Sequence, residues 1–435
     1  TLVILLLLAL LLASCPVNAE NLFKAESFTL NNGMKAIAIE NHRAPAVTHM
    51  VWYKTGSIDD PLGKSGIAHV LEHLMFKGTP AVPDGEFSKI VARNGGNENA
   101  FTSRDYTAYY QNIARDRLEL VMFLESDRMK NLRFSLQDFA PELEVVKEER
   151  LMRTENNPAA LLAERRNRLL WGEHAYARPI IGFKQELAAL TMKDAQDFYN
   201  THYAPDNAIL IVAGDITAAE LKPLAEKYYG AVPPGRKART KRVFTDSQPL
   251  KATLEMAHPL AKIQTVTRTY IVPSYLSEGK ETAHAYAVLA EILGAADSGV
   301  LYKRLVDSQK ASAVSVDYSG FALDKGTFSI SAAVSPASTA EAVRAAIDRP
   351  VKIGEKALRQ AKKRLVAGME HLIDDPATTA TTVGLAEILG LGIEELESFP
   401  AKINAVTLGD VQAAYETLTT KAPFATTVLT PETAP

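Results

Sequence analysis

The sequence predicts an α+β protein made of two homologous halves, and three observations carry that prediction. The chain has 435 residues, more than one ordinary core supports. Short alternating apolar runs of strand type are interleaved with longer runs of helical period. One stretch also recurs: TRTYIVPSYLSEGKETAHAYAVLAEILG lies on HMVWYKTGSIDDPLGKSGIAHVLEHLMF without a gap. Tyr270 then falls on Trp52, Leu289 on Leu71 and Ile292 on Leu74. A strand, a polar turn and an apolar helix are repeated, which predicts two α+β units of about 200 residues each.

The elements follow in order. Residues 2–13 are apolar and uncharged, too short for a comfortable membrane span. They read as the core of a signal peptide over 1–19, with Val17-Asn18-Ala19 as the cleavage site before Glu20. No initiating Met or basic leader precedes them, so the chain is expected to be truncated at its start. LASC, ending at Cys15, also resembles a bacterial lipoprotein box, with Cys15 as the lipidated residue. Either route predicts an exported, periplasmic protein, tied to a membrane only if Cys15 is lipidated. FTLNNGMKAIAIEN predicts a hairpin around Asn31-Asn32-Gly33, and VTHMVWYKTGS a further strand. Helical patterns cover 67–77, 85–94 and 115–131, with the strand DYTAYYQNI before the last. One long helical stretch spans about 138–170. The apolar run at 208–216 predicts a buried strand. Residues 232–242 are rich in Pro, Gly and basic side chains and read as a linker. The resulting division is 20–235, a linker over 236–250, and 251–435.

Composition narrows the function. The chain is 47% hydrophobic and 23% charged, with a net charge of −3. That gives no general pull toward nucleic acid or anionic membrane. Cys15 is the only cysteine, so there is no disulfide framework and no thiolate metal site. A metal must be held by His, Asp or Glu.

The stretch GIAHVLEHLMFKGT supplies such groups. On a helix, His69 and His73 stand about 40° apart around the axis and Glu72 about 60° to the other side of His69. All three share an arc of about 100°, while Ile67, Val70, Leu71 and Leu74 surround it. The pattern fits a surface helix or a two-histidine metal site with a carboxylate beside it. A catalytic zinc needs a third protein ligand and an open fourth position. PELEVVKEERLMRTENNP offers candidates: Glu142 and Glu149, seven apart, share one helix face, and Glu148 points away. Alone, that run also fits a solvated charged helix. In the repeat register Ala287, Ala290 and Glu291 replace His69, Glu72 and His73, so the second half lacks the polar arc.

HVLEH has the His-x-x-Glu-His order of the inverzincins, and the chain resembles the pitrilysin/insulinase family of zinc peptidases. The likeness is to the short, two-domain members related to mitochondrial processing peptidase. GGNENAFTSRDYTAYY, HAYARPIIG and FYNTHYAPDNAILIVAGDI resemble family segments as well. The resemblance implies two related α+β domains, each a mostly antiparallel sheet packed with helices, facing across a cavity. It implies Zn2+ held by His69, His73 and Glu149, which lies 76 residues past His73. Glu72 would be the general base, and Glu142 would orient a ligand or modulate its charge. Asn99 and Ala100 would lie at the edge that holds an extended peptide. Family members that cleave peptides carry an Arg and a Tyr, seven apart, in the C-terminal half. Here those positions hold Val306 and Ala313, which cannot donate side-chain hydrogen bonds. Tyr302 is out of register, and only a shifted alignment would recruit Arg304. The expectation is therefore a zinc endopeptidase subunit that needs a homologous, Arg/Tyr-bearing partner. The alternative is a non-catalytic binding or assembly subunit of the same fold.

Overall fold

The computed structural model describes residues 22–235, 242, 244, 245 and 251–432. The signal segment, Ala19, Cys15 and most of the linker over 236–250 lie outside the described residues. The first half runs β1 (Ala25–Thr29), β2 (Lys35–Glu40), β3 (Ala46–Tyr53), α1 (Ile67–Leu74), α2 (Glu86–Arg93), β4 (Asn97–Thr102) and β5 (Thr107–Ala114). It continues α3 (Leu118–Asn131), α4 (Leu136–Arg150), α5 (Pro158–Trp171), α6 (Lys184–Ala188), α7 (Met192–His202), β6 (Ala208–Gly214) and α8 (Ala218–Tyr228). The second half runs β7 (Lys251–His258), β8 (Thr265–Val272), α9 (Ala283–Gly294), α10 (Val300–Leu305), β9 (Ala311–Ser319) and β10 (Gly326–Val334). It closes with α11 (Ala340–Asp348), α12 (Glu355–Leu372), α13 (Pro376–Leu389), α14 (Ile393–Ala405), α15 (Leu408–Thr420) and β11 (Phe424–Pro431).

The two sheets have one topology. Their strand orders are β1-β2-β6-β3-β5-β4 and β7-β11-β8-β10-β9. With β1 set aside, each position of the first has a counterpart in the second. Both are antiparallel except for one parallel pair, β2 with β6 and β7 with β11. β4 and β9 are the corresponding edges. The repeat seen as a strand and a helix thus extends through the whole half.

Each sheet buries one face under its own helices and the other under a helix from the opposite half. The apolar side of α1 packs into the first-half core with Val51, Tyr109 and Leu210. On the other face of that sheet, Ala380, Val383 and Ala386 of α13 cover Met50, Trp52, Ile209 and Ile211. In return, Leu170 and Trp171 of α5 cluster with Ile271 and Ala425 of the second sheet. This explains why β6 is apolar and buried at every residue: a strand covered on both faces cannot alternate. Gly384 lets α13 lie on Trp52, since a Cβ there would come within 2.3 Å of the indole ring.

The long helix predicted over about 138–170 is interrupted. α4 widens into a π-helical turn at Leu151–Glu155, and α5 restarts at Pro158 with Asn157 as its cap. Pro158 suits the first helical position because its missing N–H would be unpaired there anyway. Among the described residues no helix is long and apolar enough to cross a membrane.

Candidate active site

α1 begins at a point held from outside the helix. Its first N–H groups have no partners within it, and Asp60 provides them. Asp60 Oδ2 accepts from Gly66 N–H at 2.7 Å and Oδ1 from Ala68 N–H at 3.1 Å. Ile67, Val70, Leu71 and Leu74 are buried, so His69, Glu72 and His73 face a cavity of about 1100 Å³. The helix predicted over 67–77 is regular only to Leu74. The next turn tightens, with Phe76 N–H on His73 O and Lys77 N–H on Leu74 O, before Gly78 turns the chain away at φ +102°.

α4 brings its two glutamates to opposite sides of one imidazole. Glu142 Oε2 stands 3.2 Å from His73 Nδ1, and Glu149 Oε2 stands 3.4 Å from His73 Nε2. The same Glu149 oxygen is 3.6 Å from His69 Nε2. Glu149 Oε1 is taken by Arg153 at 2.5 Å, and Glu142 Oε1 by Lys77 at 2.7 Å. Two nitrogens and one oxygen therefore converge, all within 4.8 Å of one another. The two separations from Glu149 Oε2 to the imidazole nitrogens exceed hydrogen-bond length. They match donors about 2.1 Å from a shared tetrahedral ion, which stand about 3.4 Å apart. His69 Nδ1 is buried without a hydrogen-bond partner. Burial, with His73 and Arg153 beside it, pushes the His69 imidazole down to about 3. The ring is then neutral, the form a metal ligand requires. The three residues fit a zinc ion in donor type and spacing.

Glu72 lies beside this cluster without joining it. Thr102 Oγ1 donates to Glu72 Oε2 at 2.5 Å. Burial raises the Glu72 carboxyl above its ordinary range, and the Thr102 bond works against that shift. Thr102 ends β4, which pairs with β5 through Asn99–Tyr110 and Ala100–Tyr109 and, among the described residues, has no strand on its other side. Asn99 and Ala100 line the cavity together with His69, Glu72 and His73. All the lining residues belong to the first half, and Glu148, expected from helical period to point away from Glu142 and Glu149, is among them. The sequence reading missed Thr102, Lys77 and Arg153. Only Arg153 carried a local signal, the i,i+4 spacing from Glu149.

The second half has no equivalent cluster among the described residues. Glu291, at the position of His73, pairs with Arg364 of α12. Val306 caps α10 and Ala313 lies in the edge strand β9. Arg304 is engaged elsewhere: its guanidinium donates to Ala346 O at 3.1 Å, to Pro350 O at 3.0 Å, and to Arg349 O.

Comparison with known proteins agrees with this architecture. Residues 35–184 match the family described as Insulinase (Peptidase family M16), and residues 189–365 the family described as Peptidase M16 inactive domain. Zinc protease PqqE of Helicobacter pylori is 30% identical over 368 residues, covering 83% of this chain and 82% of that protein. A protein of Schizosaccharomyces pombe named as a probable mitochondrial-processing peptidase subunit beta is 30% identical over 212 residues, 48% of this chain and 46% of the relative. The crystal structure of a protease from Helicobacter pylori superposes with a TM-score of 0.87 at 28% identity, covering 94% of this chain and all of that one. With its repeated fold, its reversed His-x-x-Glu-His helix and these relatives, the chain belongs to the insulinase family of peptidases.

Proposed function

We propose that the chain is the zinc-binding, catalytic subunit of an endopeptidase that hydrolyses extended peptides or unfolded segments. The observation that carries this reading is the convergence of His69 Nε2, His73 Nε2 and Glu149 Oε2 beside a Glu72 held from the peptide edge. Zinc bound there would acidify a water and polarise the scissile carbonyl. Glu142 would fix the His73 ring through Nδ1, so that the Nε2 lone pair points to the ion. Glu72 would accept the proton of the attacking water and return it to the leaving amine. The free side of β4, at Asn99 and Ala100, would take the substrate main chain as an added strand, which selects extended over folded substrates.

The reading includes a homologous partner that supplies the missing Arg and Tyr. Val306 and Ala313 support it, as does the engagement of Arg304 at the end of α11. It also includes export to the periplasm, supported by residues 1–19, with mass spectrometry of the mature N-terminus distinguishing cleavage after Ala19 from lipidation at Cys15.

The test is Glu72→Gln, assayed with and without a purified homologous partner. Peptide cleavage should fall by roughly 10²–10⁴-fold with zinc content unchanged. Cleavage that survives the substitution with zinc still bound would overturn the mechanism. The absent Arg and Tyr favour a second reading, a non-catalytic assembly subunit. That reading expects zinc binding but no cleavage by the wild-type chain in either preparation.

A further inference from the structure

The segment HAYARPIIG is given no part by the mechanism above, yet it touches both the site and the second half. His174 Nδ1 accepts the N–H of Tyr176 at 2.9 Å. That fixes the tautomer, and Nε2–H donates to Asp324 Oδ2 at 2.9 Å. Asp324 lies in the turn between β9 and β10, in the second half. The Tyr176 hydroxyl donates to the Asp105 carboxylate at 2.9 and 2.8 Å and accepts the N–H of Asp324 at 3.3 Å. Leu323 N–H reaches Asp105 Oδ2 at 3.4 Å. Asp105 sits in the turn that joins β4 to β5. Its carbonyl accepts from Arg242 Nη2 at 2.9 Å.

The same segment then runs to the metal-binding helix. Ile180 and Ile181 line the cavity. Gly182 packs against the start of α1: at φ +87° its backbone lies where a Cβ would meet Ser65 O at 2.4 Å. Phe183 N–H donates to Ser65 Oγ at 2.9 Å, and Gly182 O accepts from Arg150 Nη1 at 2.6 Å. One strap therefore links the turn of the peptide edge, the start of α1, the end of α4 and a turn of the second half. His174, Tyr176 and Asp105 are all buried. In such a network each polar group depends on the others, because a lost partner is not replaced by water.

We propose that Asp324 is a positioning residue for the peptide-binding edge. Through His174 and Tyr176 it holds the β4–β5 turn, and with it the placement of β4 beside Glu72. The half without metal ligands thus shapes the site of the half that has them. This inference rests on the reading of β4 as the peptide edge.

The experiment compares Asp324→Ala and Asp324→Asn with wild type in the zinc-loaded protein, with its partner where cleavage needs one. Asn keeps an oxygen that accepts from His174 Nε2–H, and Ala does not. Asp324→Ala should raise KM for a peptide about tenfold while kcat stays within about twofold. Asp324→Asn should recover most of the loss, and zinc content should not change. Hydrogen exchange should quicken at the amides of β4 in Asp324→Ala and remain as in wild type in β8, whatever the activity. Wild-type exchange throughout β4 in Asp324→Ala, or equal losses in Ala and Asn, would overturn the proposal. A wild-type protein that cleaves, with KM unmoved in Asp324→Ala, would refute this inference and leave the peptidase reading standing. Absence of cleavage by wild type would refute the peptidase reading, and β4 exchange would still decide the role of Asp324.

Discussion

Thr102 links the strand proposed to hold substrate to the carboxylate proposed to act on it. Its hydroxyl donates to Glu72 Oε2 at 2.5 Å. Thr102→Ala removes that donor without a large change in volume. A hydrogen bond to a charged group contributes about 1.5–3 kcal/mol. The expected outcome is a fall in kcat/KM of roughly ten- to a hundredfold with zinc content preserved. Steady-state kinetics together with metal analysis would check it, and an unchanged kcat/KM would remove Thr102 from the site. Residues of this kind are hard to read from sequence. His69, Glu72 and His73 share one helical arc, so their proximity follows from backbone geometry alone. Thr102 is 30 residues from Glu72, and no local period relates a strand end to a helix face.

At the scale of elements, the exchange of α5 and α13 organises the fold. α5 presents Leu162, Leu170 and Trp171, and α13 presents Ala380, Val383 and Ala386, to the opposite half. Each therefore covers the second face of the other sheet. The seat of α13 is narrow, with Gly384 lying on the Trp52 ring. Gly384→Ala would place a methyl group 2.3 Å from that ring, and overpacking of this kind destabilises by about 1–3 kcal/mol. The expected result is a lower midpoint of thermal unfolding with the His69, His73 and Glu149 site still able to bind zinc, since α13 lies on the opposite face of the sheet from α1. Calorimetry and zinc titration of the variant would test both parts. The strands β2, β3, β5 and β6 and the helices α1, α2 and α3 were legible from periodicity. The break between α4 and α5 was overlooked because the helical pattern continues through the π turn, although Asn156-Asn157-Pro158 carries the stop and restart signal.

At the scale of the whole molecule, stability also depends on buried groups that do not line the cavity. His49 is fully buried, with Nδ1 on Gln111 Oε1 at 2.7 Å and Nε2 on the Tyr229 hydroxyl at 2.8 Å. Burial pushes its imidazole below the ordinary value, with Glu125 and Gln111 opposing. The unfolded chain then takes up a proton near pH 6.5 that the folded chain does not. The stabilisation is present in full above that pH and is lost as the pH falls, by up to about 1.4 kcal/mol per pH unit. Urea unfolding between pH 7.5 and 5.5 should show this slope, and His49→Gln should reduce it. An identical slope in the variant would assign the dependence to other groups.

The sequence by itself determined the repeat, the lack of a thiolate site, the arc of His69, Glu72 and His73, and the resemblance that pointed to Glu149. The first three follow from chain order, composition and helical period, and Glu149 came from the family resemblance alone. Only the tertiary structure decided that Glu142 and Glu149 flank the two nitrogens of one imidazole, that Thr102 holds Glu72, and that α5 and α13 cross between halves. It also decided that Asp324 reaches the β4–β5 turn through His174 and Tyr176. These are contacts between residues distant in sequence, set by where a packed sheet leaves room and by which buried polar group finds a partner.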